Sequence, residues 1–407
     1  MVSSVAMHVS RRPSRRLGIG AGLVALAVSV TVAGPVFAAT GQVDVAVATA
    51  TGLDVAVQAD GAPASAWTIE HVASGSGWGS PSIYRVGGVD GGSVVMTAVD
   101  GDGSLWFFWQ AAGSSTWNPE EVAGPGSADT LGQPSVAVQE VVNVEQPTVA
   151  MIVAEDPENP DSSTTYASTY YWETVGGTVW HQAQLPTGTG TALQPDVSIS
   201  AADGFLVTYG VQSPFQGSPS GFGLDQMPYG STAWSSVNTI ETGVDTATTS
   251  VIGLSNGGTV VAAGGYYGAT YFYWSAPGQS TTTWHAENVG AGDGSSIPLT
   301  YIQPMALTGD AQGIAVGAVN TADTCDVAYD QANGGTGWTP QTIGCPGASS
   351  VIPALAWQSG TYNEVASAVV PNGNVHFYWQ ASGTTTWHEE TIPGLSNAYP
   401  STSLIAD

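Results

Sequence analysis

Four short segments of the sequence place aromatic rings beside a polar side chain, a combination that commonly holds sugars. Each segment consists of two aromatic residues, a tryptophan and then Gln, Glu or Ser, at residues 107–110, 170–173, 272–275 and 377–380. An aromatic face can cover the apolar C–H surface of a sugar ring while the polar neighbour bonds its hydroxyl groups. The alternative is that the rings only fill space between packed sheets, and for any single tryptophan this is the more common role.

Three histidines and one acidic loop suggest metal binding at first sight, but the sequence favours other roles. His181, His285 and His388 each follow a regularly spaced tryptophan, and equivalent positions around a ring of repeats cannot converge on one ion. The segment 100–104, Asp-Gly-Asp-Gly-Ser, has oxygen ligands at alternate positions, as calcium loops do. It also lies where a hairpin turn is needed, so turn formation explains it. We therefore expect no metal and no other cofactor.

The sequence does not reveal a catalytic constellation. Residues 253–257 have the spacing of a nucleophile elbow, but that motif needs a strand leading into a helix, and here a β turn is expected. Glycoside hydrolysis needs two acidic groups flanking one bond, and no such pair can be selected among 32 acidic residues. Propeller sialidases hold the substrate carboxylate with several arginines, whereas only Arg85 follows the N-terminal segment. These observations favour a non-catalytic protein over an enzyme.

The elements that would position these residues recur along the chain with a period of about 50 residues. Each unit carries four short runs rich in β-branched and aromatic residues, separated by Gly, Asp, Asn and Ser turns. A tryptophan marks the start of the fourth run in all seven units: Trp67, Trp117, Trp180, Trp234, Trp284, Trp338 and Trp387. Four antiparallel strands per unit predict an all-β fold, a seven-bladed β-propeller. We expect these unit tryptophans to belong to the scaffold.

The two ends of the chain predict how the ring closes. Residues 43–48, 53–58 and 67–72 supply strands two to four of a blade, and residues 399–407 supply a lone first strand. Pairing the two ends would close the ring and remove the free sheet edges. A solenoid is the alternative, but stacked arrays need polar caps at their ends, and complementary fragments are not caps.

Two units depart from the regular pattern. The long gap between Trp117 and Trp180 predicts an exposed insertion around residues 155–161. The fourth unit is the most degenerate, because residues 215–223 are rich in Gly, Pro and Ser and its third strand is poorly marked.

The N-terminal segment predicts export. Four arginines precede an apolar run at residues 17–32 and the small-residue stretch at 36–38, which is the pattern of a cleaved signal peptide. The apolar run is short for a membrane span. We therefore predict a signal peptide at residues 1–38, a single propeller domain at residues 39–407, and a secreted, extracellular protein without a membrane span.

The charge of the exported part excludes two classes of partner. Arg85 is its only arginine, the sequence has no lysine, and 32 residues are acidic. Nucleic acids and anionic lipids are bound mainly by Lys and Arg, so we expect neither as a partner. Charged residues are only 9% of the chain, and such a surface suits a secreted protein that meets acid or proteases.

Cys325 and Cys345 are predicted to form a disulfide. They lie symmetrically about residues 333–336, Asn-Gly-Gly-Thr, which suit a tight hairpin turn. That turn would place the cysteines opposite each other on two antiparallel strands, at a distance compatible with a disulfide. An exported protein also meets an environment in which cysteines can pair.

The repeats resemble those of secreted tectonin-like and fucose-binding seven-bladed propeller lectins. The likeness rests on turns that precede aromatic strands, Asp-Gly-Ser-Leu-Trp at 102–106 and Asn-Gly-Asn-Val-His at 372–376, and it covers essentially the whole exported chain. In those lectins sugars sit between neighbouring blades. The resemblance therefore implies the following ligand-binding candidates: Trp109, Gln110, Trp172, Trp274, Trp379 and Gln380.

Three functional hypotheses follow. The first is a secreted, non-catalytic protein that binds carbohydrate or cell-wall glycan through aromatic residues between blades, with weak sites that add through multivalency. The second is an extracellular polysaccharide hydrolase or lyase with one central pocket. The third is a structural or adhesive platform for protein partners. Near-identical aromatic strands in several units, without a unique catalytic cluster, favour the first.

Overall fold

The computed structural model describes residues 42–59, 66–86, 93–129, 133–139, 149–155, 168–174, 179–185, 191–200, 204–212, 221–228, 231, 233–235, 239–241, 246–254, 258–265, 270–276, 283–289, 306–309, 313–320, 325–332, 335, 337–345, 353–357, 362–381 and 384–406. Within these ranges the chain forms 28 β-strands. No segment of them forms a helix with the length and apolarity that a membrane span requires. The predicted signal peptide and most of the predicted insertion, residues 156–161, lie outside the described residues.

The strands follow the chain in a regular order. The first eleven are β1 (Gln42–Thr49), β2 (Gly52–Ala59), β3 (Thr68–Ser74), β4 (Ser82–Val86), β5 (Ser93–Val99), β6 (Leu105–Gln110), β7 (Trp117–Ala123), β8 (Ser135–Gln139), β9 (Val149–Glu155), β10 (Ser168–Thr174) and β11 (His181–Gln184). The next eight are β12 (Thr191–Ser200), β13 (Gly204–Gln212), β14 (Gly221–Met227), β15 (Thr239–Glu241), β16 (Thr246–Gly253), β17 (Thr259–Gly265), β18 (Thr270–Ser275) and β19 (His285–Val289). The last nine are β20 (Ala306–Gly309), β21 (Gly313–Asn320), β22 (Cys325–Ala332), β23 (Thr339–Gly344), β24 (Ala354–Trp357), β25 (Tyr362–Val369), β26 (Val375–Ala381), β27 (Trp387–Thr391) and β28 (Ala398–Ala406).

These strands form seven four-stranded antiparallel sheets, which confirms the predicted seven-bladed β-propeller. Named from the innermost strand outward, blade I is β28-β1-β2-β3, and blades II to VII are β4–β7, β8–β11, β12–β15, β16–β19, β20–β23 and β24–β27. The innermost strands of neighbouring blades contact each other around a closed circle. Blade IV, whose third strand was poorly marked in sequence, has that strand at Gly221–Met227.

Blade I is completed by both ends of the described chain, as the sequence predicts. β28 pairs antiparallel with β1, in a register that runs from Val43 opposite Ala406 to Val47 opposite Thr402. β1 continues into β2 and β3 by antiparallel pairing. The ring is therefore closed without a free edge at the junction of the termini.

The core of the propeller is divided among the gaps between blades. In the described residues, seven clusters of buried apolar side chains each join two neighbouring blades. Successive residues of a strand point to opposite faces, so Phe107 packs in the gap toward blade III and Phe108 in the gap toward blade I. Burial of one such side chain contributes about 1.5–3 kcal/mol. The strands are rich in apolar residues because both faces are covered.

Side-chain oxygens on the innermost strands link successive blades near the axis. In four consecutive pairs the backbone N–H of one strand donates to a side chain of the preceding strand: Ile83 to Ser403 (3.1 Å), Val136 to Ser82 (3.4 Å), Val197 to Ser135 (3.2 Å) and Val251 to Asp196 (3.0 Å). Asp196 also accepts from the hydroxyls of Ser135 at 2.6 Å and Ser250 at 2.9 Å. Burial raises the pKa of Asp196, although these hydrogen bonds oppose the shift. These oxygen atoms therefore hold neighbouring inner strands together.

The acidic loop at residues 100–104 is a turn between β5 and β6, as predicted. Asp100 Oδ1 accepts from the backbone N–H groups of Asp102 at 3.0 Å and Ser104 at 2.9 Å, and Oδ2 accepts from Trp106 Nε1 at 2.9 Å. Gly103 has a φ of 77°, which favours glycine. The Asp100 carboxylate is thus engaged in stabilising the turn.

The predicted disulfide is present. Cys325 begins β22 and Cys345 directly follows β23, and their Cα atoms lie 4.0 Å apart. The adjacent residues Asp326 and Gly344 are opposite each other in the antiparallel register. The bond closes the outer hairpin of blade VI.

Candidate functional site

The four third-strand tryptophans lie in four of the seven gaps, each on the face of its blade that points to the next blade. The aromatic residue two positions earlier shares that face and contacts the unit tryptophan of the next blade. These ring pairs are Phe107 with Trp180 (5.2 Å), Tyr170 with Trp234 (5.1 Å), Phe272 with Trp338 (4.9 Å) and Phe377 with Trp67 (5.0 Å) between centroids. Trp109 is 37% exposed, whereas Trp172, Trp274 and Trp379 are half-buried.

Histidines cover three of these tryptophans. The ring of Trp172 stacks on His181 with centroids 5.4 Å apart, Trp274 stacks on His285 at 4.0 Å, and Trp379 stacks on His388 at 5.4 Å. The three histidines are exposed and belong to three different blades, and each packs on the tryptophan opposite it. Among the described residues, no group of three or more His, Cys, Asp and Glu side chains is placed to hold a metal ion.

The tryptophan of blade II has a different neighbour. Asn118 stands opposite Trp109 in the register, at the position that the histidines occupy in the other three blades. Its Nδ2 donates to the backbone oxygen of Trp109 at 3.2 Å. An amide there leaves the Trp109 ring more open to solvent than a stacked imidazole does.

A glutamate on the fourth strand of blade V organises the gap between blades V and VI. Glu287 accepts from three side chains, Trp274 Nε1 at 3.2 Å, Gln331 Nε2 at 2.6 Å and Trp338 Nε1 at 3.0 Å. Gln331 and Trp338 belong to blade VI, so the carboxylate joins two blades. We call this arrangement the interblade clamp: a fourth-strand acid that accepts from a third-strand amide and the unit tryptophan of the next blade.

The clamp recurs in two further gaps. Glu70 of blade I accepts from Gln110 Nε2 at 2.7 Å and Trp117 Nε1 at 3.0 Å. Glu390 of blade VII accepts from Trp67 Nε1 at 2.7 Å and Gln58 Nε2 at 3.4 Å. Because these bonds use the indole N–H groups, the unit tryptophans Trp67, Trp117 and Trp338 belong to the scaffold, as expected.

The structure places both glutamine candidates inside such contacts. Gln110 is buried and donates to Glu70, and the buried side-chain amide of Gln380 bonds that of Gln341 in blade VI at 2.7 Å. Their ligand-binding role stays a prediction, and the structure gives them a role in joining blades.

Sequence reasoning missed the clamp acids, although a spacing signal marks them. Glu or Gln stands three residues after the unit tryptophan in five units: Glu70, Glu120, Glu287, Gln341 and Glu390. In the third unit this position is Ala183, and the unit tryptophan of the following blade, Trp234, interacts with Tyr170 instead of a fourth-strand acid. The spacing therefore identifies the acceptor that a buried indole requires.

The gap between blades II and III departs from the clamp in one residue. Glu120 is the fourth-strand acid and accepts from Trp109 Nε1 of its own blade at 2.9 Å. The amide position of blade III is occupied by Glu173, which is only 4% exposed. Within the described part of the chain, Glu173 Oε2 and the buried Trp180 Nε1 make no hydrogen bond. We call the set Trp109, Glu120, Glu173 and Trp180 the II–III cleft.

Electrostatics sets Glu173 apart from the glutamines at equivalent positions. Burial, and then the negative charge of Glu120, raises the pKa of Glu173 to about 7. A carboxyl group with this pKa changes charge in the physiological range, which an amide cannot do. The II–III cleft therefore combines an exposed aromatic ring, two carboxyl groups and an unused indole donor.

A second group of buried acids lies between blades VI and VII, and none of the described residues of that gap is an exposed tryptophan. Burial, followed by the charge of Glu389, raises the pKa of Asp326 to about 8. Burial and the neighbouring Asp330 raise the pKa of Glu364 to about 9. Burial also raises the pKa of Asp330 to about 6, against the effect of a hydrogen bond from Gln341. Asp326 and Glu364 are therefore largely protonated near neutral pH.

Arg85 is engaged on the other side of blade II. Its Nη2 lies 2.5 Å from Asp44 Oδ2, and their side chains are only 8% and 1% exposed. Asp44 also accepts from Gln42 Nε2 at 2.6 Å. The single arginine of the described residues therefore links blades I and II.

Comparison with solved structures identifies the class of fold. A lectin from Burkholderia pseudomallei, BP39L, is 16% identical, covers 86% of this chain and 95% of its own, and has a TM-score of 0.63. The Aleuria aurantia lectin, solved with α-methyl-L-fucoside, is 12% identical, covers 80% of this chain and 96% of its own, and has a TM-score of 0.51. No family model and no curated protein matches the sequence. The chain thus resembles propeller lectins in fold, which agrees with the resemblance drawn from its repeats.

Proposed function

We propose that this protein is a secreted, non-catalytic, lectin-like protein that binds glycans in the gaps between its blades. The observation that carries the proposal is the II–III cleft, where the exposed ring of Trp109 stands beside two carboxyl groups and an indole N–H. A ring that stacks on the apolar face of a sugar, with acceptors and a donor for its hydroxyls, is the chemistry that saccharide binding needs. The fold shared with two lectins supports the same proposal.

The charges of the gaps favour neutral or amino sugars over acidic ones. Carboxyl groups accept hydrogen bonds from hydroxyl or ammonium groups, and they repel the carboxylate or sulfate of an acidic sugar. The only arginine of the described residues, Arg85, is paired with Asp44 on the opposite face of blade II. The ligand class that fits is therefore a hydroxyl-rich glycan without negative charge.

The other three third-strand tryptophans would contribute less to glycan binding than Trp109. Trp172, Trp274 and Trp379 are half-buried and each stacks on a histidine. A sugar at these gaps would contact the edge of the pair or replace the imidazole on the ring. Several weak sites on one ring would still add through multivalency on a polymeric surface.

A glycan array and a cell-wall pull-down with the full chain test the proposal. Neutral and amino oligosaccharides should be retained over acidic ones. Trp109→Ala should lower retention by about tenfold, which corresponds to about 1.4 kcal/mol, and Trp274→Ala should lower it less. Val179→Ala is the matched control, because Val179 is an exposed apolar residue at 63% that lies outside the cleft set. Absence of retention in both assays, or equal retention by all variants, would overturn the proposal.

Export and the absence of catalysis are tested separately. Expression in a secreting host should release a chain that begins near Ala39, which N-terminal sequencing would show. The hydrolase or lyase hypothesis and the adhesive-platform hypothesis stay predictions. Product released from common polysaccharides would support the former, and capture of a protein in a pull-down without glycan would support the latter.

A further inference from the structure

Glu173 occupies a position that an amide holds in three other gaps. Gln58, Gln110 and Gln331 each stand on the third strand of their blade and donate to the fourth-strand acid of the preceding blade, at 3.4, 2.7 and 2.6 Å. In blade III the same position faces Glu120 of blade II. The scaffold therefore presents a carboxyl group where it elsewhere uses an N–H donor.

The protonation state of Glu173 decides whether the clamp can form. An ionised carboxylate only accepts hydrogen bonds, whereas a protonated carboxyl group carries one O–H donor. Protonated Glu173 can thus donate to Glu120 in place of the glutamine amide. With both residues ionised, neither donates, and two negative charges face each other in a buried gap.

Among the residues that the structure describes, the surroundings of Glu173 offer no positive charge. The titratable groups that face this gap from the packed strands are Glu120 on β7, Tyr84 on β4 and Tyr171 on the strand of Glu173 itself. Arg85 faces the opposite side of blade II, where it pairs with Asp44. The neighbours therefore favour the protonated form until the solution pH forces ionisation.

We infer that the II–III cleft is a proton-dependent binding site, closed when protonated Glu173 donates to Glu120 and open to hydroxyl groups of a neutral glycan when Glu173 is ionised. The glycan part of this inference rests on the proposed function. In the open state the two carboxylates accept hydroxyl donors from the sugar, and Trp180 Nε1 gains an acceptor that it lacks in the apolar gap. The exposed Trp109 ring supplies the apolar contact. Glycan retention should thus rise with pH.

The sign of the stability effect follows from the direction of the shift. The folded state holds the Glu173 proton up to a pKa of about 7, whereas an unfolded chain releases it near its ordinary value of 4.5. The contribution of this group to stability is therefore complete below about pH 4.5 and is lost as the pH rises through about 7. Glu173→Gln replaces the titrating group with a permanent N–H donor, so the variant should not lose this contribution.

The test compares thermal unfolding midpoints of the full-length wild type and Glu173→Gln from pH 5 to 8.5. The difference, variant minus wild type, should increase by about 2 °C between pH 5 and pH 8.5. Most of the increase should occur below about pH 7, where the unfolded chain has released the proton that the folded state still holds, and the difference should level off above it. Asp102→Asn, a change of an exposed turn carboxylate to an amide, is the matched control and should show a constant difference. A difference for Glu173→Gln that does not change with pH would overturn the inference.

Retention on a printed panel of neutral oligosaccharides at pH 5 and pH 8 separates the two proposals. Wild type should be retained about fivefold better at pH 8, and Glu173→Gln should show the same weak retention at both pH values. If no glycan is retained at any pH while the thermal difference still titrates, the proposed function fails and the proton-dependent clamp stands. If wild type is retained equally at both pH values, the clamp does not control the site and the inference fails.

Discussion

The gap between blades V and VI (the V–VI gap) and the gap between blades II and III (the II–III gap) differ in the contacts that residues at equivalent positions make. Each has a third-strand tryptophan that donates to a fourth-strand glutamate, Trp274 to Glu287 and Trp109 to Glu120. In the V–VI gap the next blade supplies two donors to that glutamate, and the gap is closed. In the II–III gap a carboxyl group stands where the amide donor would be, and the indole N–H of Trp180 makes no hydrogen bond among the described residues. A structural contact and the proposed binding site therefore differ by one functional group.

Removing the fourth-strand glutamate should lower the free energy of unfolding by very different amounts in the two gaps, and this is the largest effect we expect. Glu287→Ala would leave two indole N–H groups and one amide without their acceptor, and each buried unsatisfied donor costs about 1–3 kcal/mol. We expect Glu287→Ala to lower the free energy of unfolding by about 3–5 kcal/mol. Glu120→Ala removes one bond to an exposed tryptophan and relieves the repulsion on Glu173, so it should cost about 1 kcal/mol at pH 8.

Urea unfolding of both variants, followed by tryptophan fluorescence, checks this expectation. Glu121→Ala is a suitable control, because Glu121 is an exposed acid on the same strand as Glu120. Equal losses for Glu287→Ala and Glu120→Ala would show that the two gaps do not differ energetically.

Introducing a carboxyl group at the amide position of the V–VI gap should make the contribution of that gap to stability depend on pH. Gln331→Glu places an acid beside Glu287 in a buried position, so burial and the like charge raise the pKa of the introduced group in the folded state. Its stabilising bond is then present at low pH and lost as the pH rises through that raised pKa. We expect a loss of about 2–3 kcal/mol at pH 8 and less than about 1 kcal/mol at pH 5.

The measurement is the free energy of unfolding at both pH values relative to wild type. Gln331→Ala serves as the control, because it removes the amide without adding a titrating group. A loss of the same size at pH 5 and pH 8 would mean that the amide position is not what makes the II–III gap proton-dependent.

The fold was predictable because its signals are local and repeated. Strand β6, for example, is bounded in sequence by the Asp-Gly turn at 100–103 and by small polar residues, and the structure forms it at Leu105–Gln110. Ring closure was predictable because residues 399–407 lack the strands that residues 43–72 supply. These patterns depend on turn chemistry and strand composition alone.

The interblade clamps were harder to predict from the sequence, because each clamp joins residues of two different repeat units. Glu70 is one of 32 acidic residues in the sequence, and nothing local shows that it accepts from Gln110 and Trp117 of the next blade. The role of Glu173 depends on Glu120, which a strand in another blade brings opposite to it. The sequence correctly predicts the aromatic rings as gap residues, but it also assigns Gln110 and Gln380 to a ligand, because no local signal shows the bonds that both make across the gaps.

The buried acids between blades VI and VII allow the pH dependence of stability to be tested separately from the pH dependence of glycan retention. Glu364 is buried beside Asp330, and in the described part of these two blades no exposed tryptophan accompanies them. Because the pKa of Glu364 is raised to about 9, its stabilising contribution is complete below its ordinary pKa and is lost as the pH rises through about 9. Wild type should lose up to about 1.4 kcal/mol per pH unit from this group above neutrality, and Glu364→Gln should reduce that slope.

Chemical unfolding from pH 6 to 9 measures the slope, and glycan retention is measured on the same samples. Glu364→Gln should leave the pH dependence of retention unchanged, because it acts in a different gap from Glu173. A parallel change in retention would show that proton effects on the ring are global rather than confined to the II–III cleft.

The smallest expected effect concerns the ring that covers each tryptophan. His285 stacks on Trp274 at 4.0 Å, so His285→Asn should lower the free energy of unfolding by about 0.5–1 kcal/mol, the usual worth of an aromatic pair.

The reciprocal change, Asn118→His, would add a stack over Trp109 but remove a hydrogen bond to its backbone oxygen. These terms oppose each other, so stability should stay within about 0.5 kcal/mol of wild type. The imidazole would cover the exposed ring, and glycan retention should fall even though stability does not. Unchanged retention by Asn118→His, with His285→Asn as its matched partner, would mean that exposure of the indole face is not what distinguishes the II–III cleft.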